Sequence, residues 1–221
     1  MNKIKIVIAD DHAIVREGTR MMLEREDDME VVGEARDGIE AIKQVERFMP
    51  DVAILDISMP KMSGIEATRQ IKSRFPAVSV LILTAYDNDE YVFALLEAGA
   101  AGYLLKDVHG HEIVEAVRSV YEGESVLYPS IARKVIQKAV TGSTKSDESK
   151  STIGLSEREL EILKLVATGL NNKDIAVKLS ISIRTVQGHL NSIFSKLSVN
   201  SRTEAIFQSV KRGWLVFDEL S

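Results

Sequence analysis

Short apolar runs alternate with amphipathic stretches over the first 122 residues of the chain. Runs rich in Val, Ile and Leu predict strands at Ile4–Ala9, Glu30–Gly33, Val52–Leu55, Val78–Leu83 and Ala101–Leu105. Between them, helical periodicity predicts helices near residues 13–26, 38–48, 64–74, 88–98 and 110–122. Because several strands are apolar almost throughout, they are expected to be buried on both faces of a parallel sheet. The alternation therefore predicts a doubly wound, five-stranded α/β domain with right-handed crossovers.

Residues 153–221 have the pattern of four short helices. Two capping-box spacings, Ser156 with Glu159 and Ser201 with Glu204, mark the starts of two helices. Gly169 marks the end of the first helix. The two middle helices, near 172–179 and 183–197, are separated only by a short Ser-Ile-Ser turn. Two helices joined so tightly predict a helix-turn-helix in a C-terminal all-α domain.

A polar segment separates the two patterns. An amphipathic stretch follows Pro129, and no apolar residue occurs between Val140 and Ile153. That composition cannot bury a core, so we interpret the segment as a flexible linker. The expected division is a first domain at residues 1–122, a linker at 123–152 and a second domain at 153–221.

Charge is distributed unevenly between the two halves. From Ser151 onward there are nine Lys or Arg and seven Asp or Glu, which gives this segment a net charge of +2. Because the whole chain has a net charge of −5, residues 1–150 have a net charge of −7. An acidic half joined to a mildly basic half suggests two tasks, one of them nucleic acid binding.

The absence of Cys excludes disulfides and thiolate metal sites. With no apolar run near the ~18 residues of a membrane span, a soluble cytoplasmic protein with no membrane partner is expected.

Polar side chains lie where four of the predicted strands end. They are Asp10 and Asp11 after the first strand, Asp56 after the third, Thr84 at the fourth and Lys106 after the fifth. This edge of a doubly wound sheet is where ligands bind. Crowded carboxylates need a cation, and an all-oxygen set suits Mg²⁺. A carboxylate can also attack a phosphoryl group to give an aspartyl-phosphate, with the metal and the lysine balancing the developing charge.

Each of these residues has an ordinary structural interpretation when it is taken alone. An Asp after a strand often caps a helix, and a loop lysine is usually solvated. Their convergence on one edge is what favours a site. His12 is expected to be solvated or to pack rather than to bind a metal. His109 and His111 form a weaker metal pair still, because positions i and i+2 do not face each other on a helix.

Residues 1–122 resemble a response-regulator receiver domain. The motifs that carry the resemblance are Ile-Ala-Asp10-Asp11, Leu55-Asp56-Ile-Ser-Met-Pro60, Leu83-Thr84-Ala85 and Tyr103-Leu-Leu-Lys106. The resemblance implies a flavodoxin-like fold in which Asp56 accepts a phosphoryl group from a histidine kinase. It further implies roles for the neighbouring groups: Mg²⁺ bound by Asp10, Asp11, Asp56 and the Ser58 carbonyl, phosphoryl oxygens bound by Thr84 and Lys106, and Tyr103 as the aromatic switch. One departure is Asp107, where many receivers have Pro.

The helix near 183–197 has one apolar and one polar face. The apolar stripe is Val186, Leu190, Ile193, Phe194 and Leu197, and the opposite face carries Arg184, Gln187, Gly188, Asn191 and Ser195, flanked by Thr185, His189 and Lys196. Gln and Asn suit the edge of adenine in the major groove, whereas Lys, Ser and Thr more often contact phosphates. The alternative is an ordinary solvated helix face.

Residues 153–212 are similar to the LuxR-type helix-turn-helix. The shared motifs are Leu155-Ser-Glu-Arg-Glu159, Gly169, Asn172-Lys173-Asp-Ile-Ala176, Thr185-Val186, His189-Leu190 and Lys196-Leu197. With the receiver motifs, this identifies the chain as a NarL/FixJ-type response regulator. The resemblance implies transcription control through double-stranded DNA. We further predict that phosphorylation shifts a monomer–dimer equilibrium towards a homodimer and frees the helix-turn-helix to bind paired half-sites. The expected DNA contacts are Lys173, Arg184, Thr185, Gln187, Gly188, Asn191 and Lys196. A departure is Gln187, where the family usually has Lys.

Three other functions remain open on the residues alone. A phosphatase with an aspartyl intermediate would also use Asp56, although haloacid-dehalogenase-like enzymes place two Asp at i and i+2 after one strand. A nucleotide-cofactor enzyme is disfavoured because no G-x-G-x-x-G follows the first strand. A small-molecule-sensing regulator would lack the Asp, Thr and Lys set. We therefore expect a regulator and not an enzyme.

Overall fold

The computed structural model divides the chain into two compact units, Met1–Tyr128 and Pro129–Ser221. It describes residues 3–86, 89–127, 154–199, 201–211 and 214. The amphipathic stretch that follows Pro129 and most of the predicted linker lie outside the described residues. None of the described helices has the length and apolar character needed to cross a membrane.

The first unit is a parallel sheet with helices between its strands. The strands are β1 (Ile4–Ala9), β2 (Met29–Ala35), β3 (Val52–Leu55), β4 (Ser79–Thr84), β5 (Gly102–Leu105) and β6 (Val126–Leu127). The helices are α1 (Ala13–Leu23), α2 (Gly38–Phe48), α3 (Gly64–Arg74), α4 (Asp89–Glu97) and α5 (Gly110–Tyr121). The strand order is β2-β1-β3-β4-β5-β6, so the direction of winding reverses between β1 and β3. The predicted fold class is confirmed.

The sheet extends slightly beyond the five predicted strands. Val126 pairs with Gly102, and Leu127 pairs with Tyr103. These two residues fall in the segment expected to be the start of the linker. A two-residue strand has too little periodicity to be distinguished from a loop in the sequence.

Two adjacent interior strands, β1 and β3, are buried along most of their length. All four residues of β3 are buried, and in β1 only Lys5 is exposed. Helix α3 begins against the end of β3, where a Cβ atom at Gly64 would lie 2.0 Å from the carbonyl oxygen of Asp56. A glycine is therefore needed where α3 approaches the backbone of Asp56.

The second unit contains α6 (Glu157–Ala167), α7 (Asn172–Leu179), α8 (Ile183–Leu197) and α9 (Arg202–Lys211). The capping box of Ser156 and Glu159 is present in full, as the sequence predicts. After α6 the chain turns at Gly169 with a φ of 86°, a backbone conformation that glycine adopts without strain. The apolar faces of the four helices share one core.

Helices α7 and α8 form the predicted helix-turn-helix. The turn begins at Ser180, which has a φ of 53°, and ends at Ser182, whose hydroxyl accepts the amide of Thr185 at 3.0 Å. The α8 stripe is confirmed, because its members Val186, Leu190, Ile193 and Leu197 are buried and Phe194 is half-buried.

The tight approach of α3 to Asp56 yields a stability prediction. Gly64→Ala should lower the free energy of unfolding of the first unit by about 1–3 kcal/mol, because the new methyl group overlaps backbone that must then shift. Peptide-resolved hydrogen exchange measures the first unit separately. The matched control is Gly18→Ala in α1, where a Cβ meets nothing within 4 Å, and it should slow exchange. Similar exchange in both variants would contradict the packing argument.

Candidate functional site

Sheet pairing brings two buried carboxylates together at the end of β1 and β3. The amide of Asp10 donates to the carbonyl of Ala35 at 3.1 Å, and that of Asp56 donates to the carbonyl of Ala9 at 2.9 Å. Both Asp side chains therefore leave the backbone at one edge of the sheet, where each residue is only 3% exposed. The predicted convergence of Asp10 and Asp56 is confirmed.

Lys106 lies between these two carboxylates. Its Nζ is 2.6 Å from Oδ2 of Asp10 and 3.0 Å from Oδ2 of Asp56. Burial alone would lower the pKa of Lys106, but the hydrogen bonds to both carboxylates outweigh burial and raise that pKa above its usual value. Lys106 is therefore cationic at neutral pH, as charge balance in the pocket requires.

The remaining charge suits a divalent cation. Asp10, Asp11, His12 and Asp56 each offer one ligand atom, and these atoms lie within 4.8 Å of one another. Three carboxylates and the Lys106 ammonium leave two negative charges, which one divalent ion would neutralise. Carboxylate oxygens are the ligands that Mg²⁺ prefers. The residues present thus fit the metal that the sequence predicts.

His12 is closer to this cluster than its sequence context suggests. Its Nδ1 lies 2.8 Å from Oδ1 of Asp11, while most of its imidazole is exposed. The expected solvated role agrees with that exposure, and the contact with Asp11 was not foreseen.

Ser58 is exposed in the loop after Asp56, and a metal-binding role for its carbonyl stays a prediction.

Thr84 and Tyr103 are connected through the backbone of Tyr86. Thr84 is fully buried at the end of β4, and its hydroxyl accepts the Tyr86 amide at 3.4 Å. The Tyr103 side chain is also buried, and its hydroxyl donates to the carbonyl oxygen of Tyr86. The predicted switch residue is therefore inside the domain in this structure, bonded to the segment that follows Thr84.

A third buried carboxylate, that of Asp37, supports the loop after Asp56. Asp37 is fully buried and caps α2 by accepting the amide of Glu40 at 2.8 Å. It also accepts a 2.6 Å bond from Nζ of Lys61, a loop residue with a φ of 62°. The Lys61 hydrogen bond lowers the pKa of Asp37. Asp37 belongs to none of the motifs found in the sequence, and its lysine partner lies 24 residues away, so this ion pair was missed.

Arg16 supports the backbone of Asp10. Its Nη1 donates to the Asp10 carbonyl at 2.8 Å, and its Nε donates to Glu34 at 3.0 Å. The loop that carries Asp10 is thereby tied to α1 and β2. Arg16 belongs to none of the motifs considered in the sequence, so its contact was missed.

The polar face of α8 is exposed in the second unit. Arg184, Gln187, Gly188 and Asn191 are all exposed. Thr185 is exposed too, with its hydroxyl 2.8 Å from that of Ser182. Lys173 is exposed on α7. The predicted DNA contacts therefore lie at the surface, and their contact with DNA stays a prediction.

Lys196 differs from these residues because it has an internal partner. Its Nζ lies 2.7 and 2.9 Å from the two carboxylate oxygens of Glu159. Ser192 donates to the same carboxylate at 2.6 Å, and the Ser156 amide donates at 2.6 Å. Burial would raise the pKa of Glu159, but these bonds outweigh it and lower the pKa to about 2. Glu159 thus joins the start of α6 to α8.

Two protein families match the two units. Residues 6–118 match the response regulator receiver domain family. Residues 154–208 match the family described as bacterial regulatory proteins, luxR family. The matched segments coincide with the acidic pocket and with the helix-turn-helix, in agreement with the resemblance found in the motifs.

Two relatives match nearly the whole chain. The chain is 44% identical over 217 residues to the oxygen regulatory protein NreC of Staphylococcus carnosus (strain TM300), covering 97% of this chain and 100% of the relative. It is 39% identical over 226 residues to the transcriptional regulatory protein DegU of Brevibacillus brevis, and the match covers 97% of this chain and 96% of the relative. The similarity thus spans both units.

Solved structures show the same similarity. One is the response regulator ChrA of a heme-sensing two-component system, with 38% identity, a TM-score of 0.52 and coverage of 97% of this chain and 100% of that one. Another contains two RcsB dimers bound to two parallel DNAs. It has 30% identity and a TM-score of 0.57, and the match covers 95% of this chain and 99% of that one.

The pKa of Glu159 leads to a prediction for acid stability. A carboxylate whose pKa falls from 4.5 to about 2 on folding contributes stability that is complete above 4.5 and lost as pH falls towards 2. Glu159→Gln should therefore weaken the second unit at pH 7, with a cost that shrinks below pH 4.5. Trp214, the single tryptophan, packs against this core, so its fluorescence in urea reports the transition.

Glu161→Gln is the control for this experiment. Glu161 is exposed and pairs with Arg158 at 2.7 Å, and exposed pairs contribute little. Its removal should leave the Trp214 transition nearly unchanged. A Glu159→Gln cost that is the same at pH 7 and pH 3 would contradict the ion-pair explanation.

Proposed function

Since the chain belongs to the response regulators that join a receiver domain to a LuxR-type DNA-binding domain, we propose that it transmits a phosphoryl signal from a histidine kinase to DNA. The observation that carries the proposal is the buried Asp56 carboxylate, 3.0 Å from the Lys106 ammonium and grouped with Asp10 and Asp11. In this proposal Asp56 is the phosphoacceptor. Residues 1–122 are the receiver, 123–152 the linker and 153–221 the DNA-binding domain.

The contacts of Asp56 suit transfer from a phosphohistidine. An Asp56 oxygen would attack phosphorus, so that an O–P bond forms while the N–P bond to the kinase histidine breaks. Lys106 would then bind a phosphoryl oxygen from the position where it now pairs with Oδ2 of Asp56. Thr84 would bind another phosphoryl oxygen. Mg²⁺, held by Asp10, Asp11, Asp56 and the Ser58 carbonyl, would supply positive charge to the phosphoryl oxygens.

The bonds around Tyr86 offer a route from this pocket to the surface. A phosphoryl group adds about −1.5 to −2 charge, and Thr84 would move towards it. Because the Thr84 hydroxyl accepts the Tyr86 amide and Tyr103 donates to the Tyr86 carbonyl, such a movement reaches Tyr103. We infer that the phosphorylated state favours a homodimer that binds paired DNA half-sites. The RcsB dimers bound to DNA support the dimeric, DNA-bound part of this inference.

In the second unit, the exposed face of α8 would enter the major groove. Gln187 and Asn191 lie one turn apart and would read adenine edges. Lys173, Arg184 and Thr185 would contact the flanking phosphates, and Gly188 lies between the reading side chains. Lys196 is proposed as a phosphate contact as well, although its bond to Glu159 gives it a structural role that competes with this one.

The phosphoacceptor assignment predicts a simple labelling result. Acetyl phosphate with Mg²⁺ should add one phosphoryl group to the chain, and Asp56→Asn should abolish the addition because the amide is not a nucleophile for phosphorus. Intact mass spectrometry measures the adduct. Asp27→Asn is the control, since Asp27 is exposed in the turn between α1 and β2, at the opposite edge of the sheet. Undiminished labelling of Asp56→Asn would refute the assignment.

Base reading by α8 predicts different effects for amide and cationic residues. Gln187→Ala or Asn191→Ala should cost about 1–3 kcal/mol on the cognate duplex and relax preference at one base pair. Lys173→Ala should weaken binding to all duplexes alike and reduce the salt slope by about one. Titrations at several salt concentrations measure both quantities. Equal weakening on cognate and random DNA by Gln187→Ala would show that Gln187 contacts the backbone and not a base.

A further inference from the structure

Gly188 lies in the interior of α8, on its exposed face. The helix runs from Ile183 to Leu197, so Gly188 is more than one turn from either end. A Cβ atom built at this position meets nothing within 4 Å. Alanine would therefore cause no clash with the residues that the structure describes.

Neither packing nor backbone conformation explains a glycine at this position. Among the described residues, the glycines with positive φ are Gly99, Gly123, Gly154 and Gly169, so Gly188 has an ordinary helical backbone. Glycine is less favourable than alanine in a helix interior because it loses more conformational freedom on folding. The chain thus carries a destabilising residue where its own fold does not need one. What remains is a requirement from outside the helix.

The neighbours of Gly188 indicate where that requirement arises. With a rise of 1.5 Å per residue, Arg184 lies about 6 Å before it along the helix axis and Asn191 about 4.5 Å after it. Residues three and four apart share a helix face, so Gly188 forms a gap between these two exposed side chains. Gln187 precedes it directly. The gap lies among the side chains proposed to read bases.

We propose that the missing side chain at Gly188 makes room for the 5-methyl group of a thymine in the major groove. That methyl group projects into the groove from each A·T pair. If Gln187 or Asn191 reads an adenine, a thymine methyl lies beside the contacted edge, and a Cβ at position 188 would compete with it for space. Gly188 is then a specificity-determining residue. The inference rests on the proposed function, because it requires that α8 enter the groove.

The test removes the methyl group from the DNA and adds one to the protein. The full-length chain, with beryllofluoride and Mg²⁺, first selects a duplex from a random-sequence pool. Each thymine of that duplex is then replaced singly by deoxyuridine, which lacks only the 5-methyl group. Wild-type, Gly188→Ala and Gly18→Ala chains are titrated against the whole set. Gly18 is the matched control, being an exposed interior helix glycine with nothing within 4 Å of its Cβ.

Gly188→Ala should bind the selected duplex about tenfold more weakly than wild type, the size of effect typical of one wrong base pair. Deoxyuridine at one position should restore most of that loss, and Gly18→Ala should bind like wild type throughout. The Trp214 unfolding transition of Gly188→Ala should shift to higher urea. That shift separates a defect in DNA contact from a defect in folding.

Two results would overturn the inference alone. One is wild-type affinity of Gly188→Ala for the selected duplex. The other is a loss that deoxyuridine restores at none of the positions, which would mean that the added methyl group meets the DNA backbone or no thymine at all. If the wild-type chain selects no duplex from the pool, the proposed function fails and this inference fails with it.

Discussion

The pocket of the first unit depends above all on how the charge of Asp10 and Asp56 is balanced. Two carboxylates that are each 3% exposed cannot stay ionised side by side without a cation, because burial penalises unpaired charge severely. Lys106 supplies one such charge at 2.6 and 3.0 Å, and a divalent metal would supply the rest. The arrangement follows from strand order: β1 and β3 are neighbours, so their ends deliver both carboxylates to one place. A phosphoryl group that arrives here changes the balance on which the surrounding loops depend.

Buried carboxylates also fix the elements around both functional surfaces. In the first unit, Asp37 holds the loop after Asp56 through Lys61. In the second, Glu159 holds α8 through Lys196. The Glu159 carboxylate completes a capping box as well, so one side chain both starts α6 and orients the proposed reading helix. Because Asp37 and Glu159 are buried while their lysine partners reach the surface, removing a lysine would leave an uncompensated buried carboxylate, which usually costs more than the pair contributes.

Much of this arrangement could be predicted from the sequence because it depends on local patterns. The strands β1 and β3 have the predicted bounds, since apolar runs ending in Asp are unmistakable in a parallel sheet. The pocket members Asp10, Asp11, Asp56 and Lys106 followed from strand ends alone. The α8 stripe followed from helical spacing.

What could not be predicted is mostly long-range. The bond from Lys61 to Asp37 spans 24 residues and that from Lys196 to Glu159 spans 37, and no periodicity relates such positions. Lys196 lies on the flank of α8, and the sequence predicts only a DNA contact for it. Its bond to Glu159 could not be predicted, because no local pattern relates the two positions. The strand β6 is too short to give a pattern. Tyr103 was identified as a switch residue, but its bond to the Tyr86 carbonyl depends on the tertiary structure.

Charge at Asp56 is proposed to control the second unit. Hydrodynamic mass and DNA affinity of the whole chain, measured together with and without beryllofluoride and Mg²⁺, distinguish a working switch from an inert one. We expect both quantities to rise when the phosphoryl mimic is added to the wild-type chain and neither to change in Asp56→Asn. Mass and affinity that stay constant in the wild-type chain, or that rise equally in Asp56→Asn, would show that charge at Asp56 does not control DNA binding.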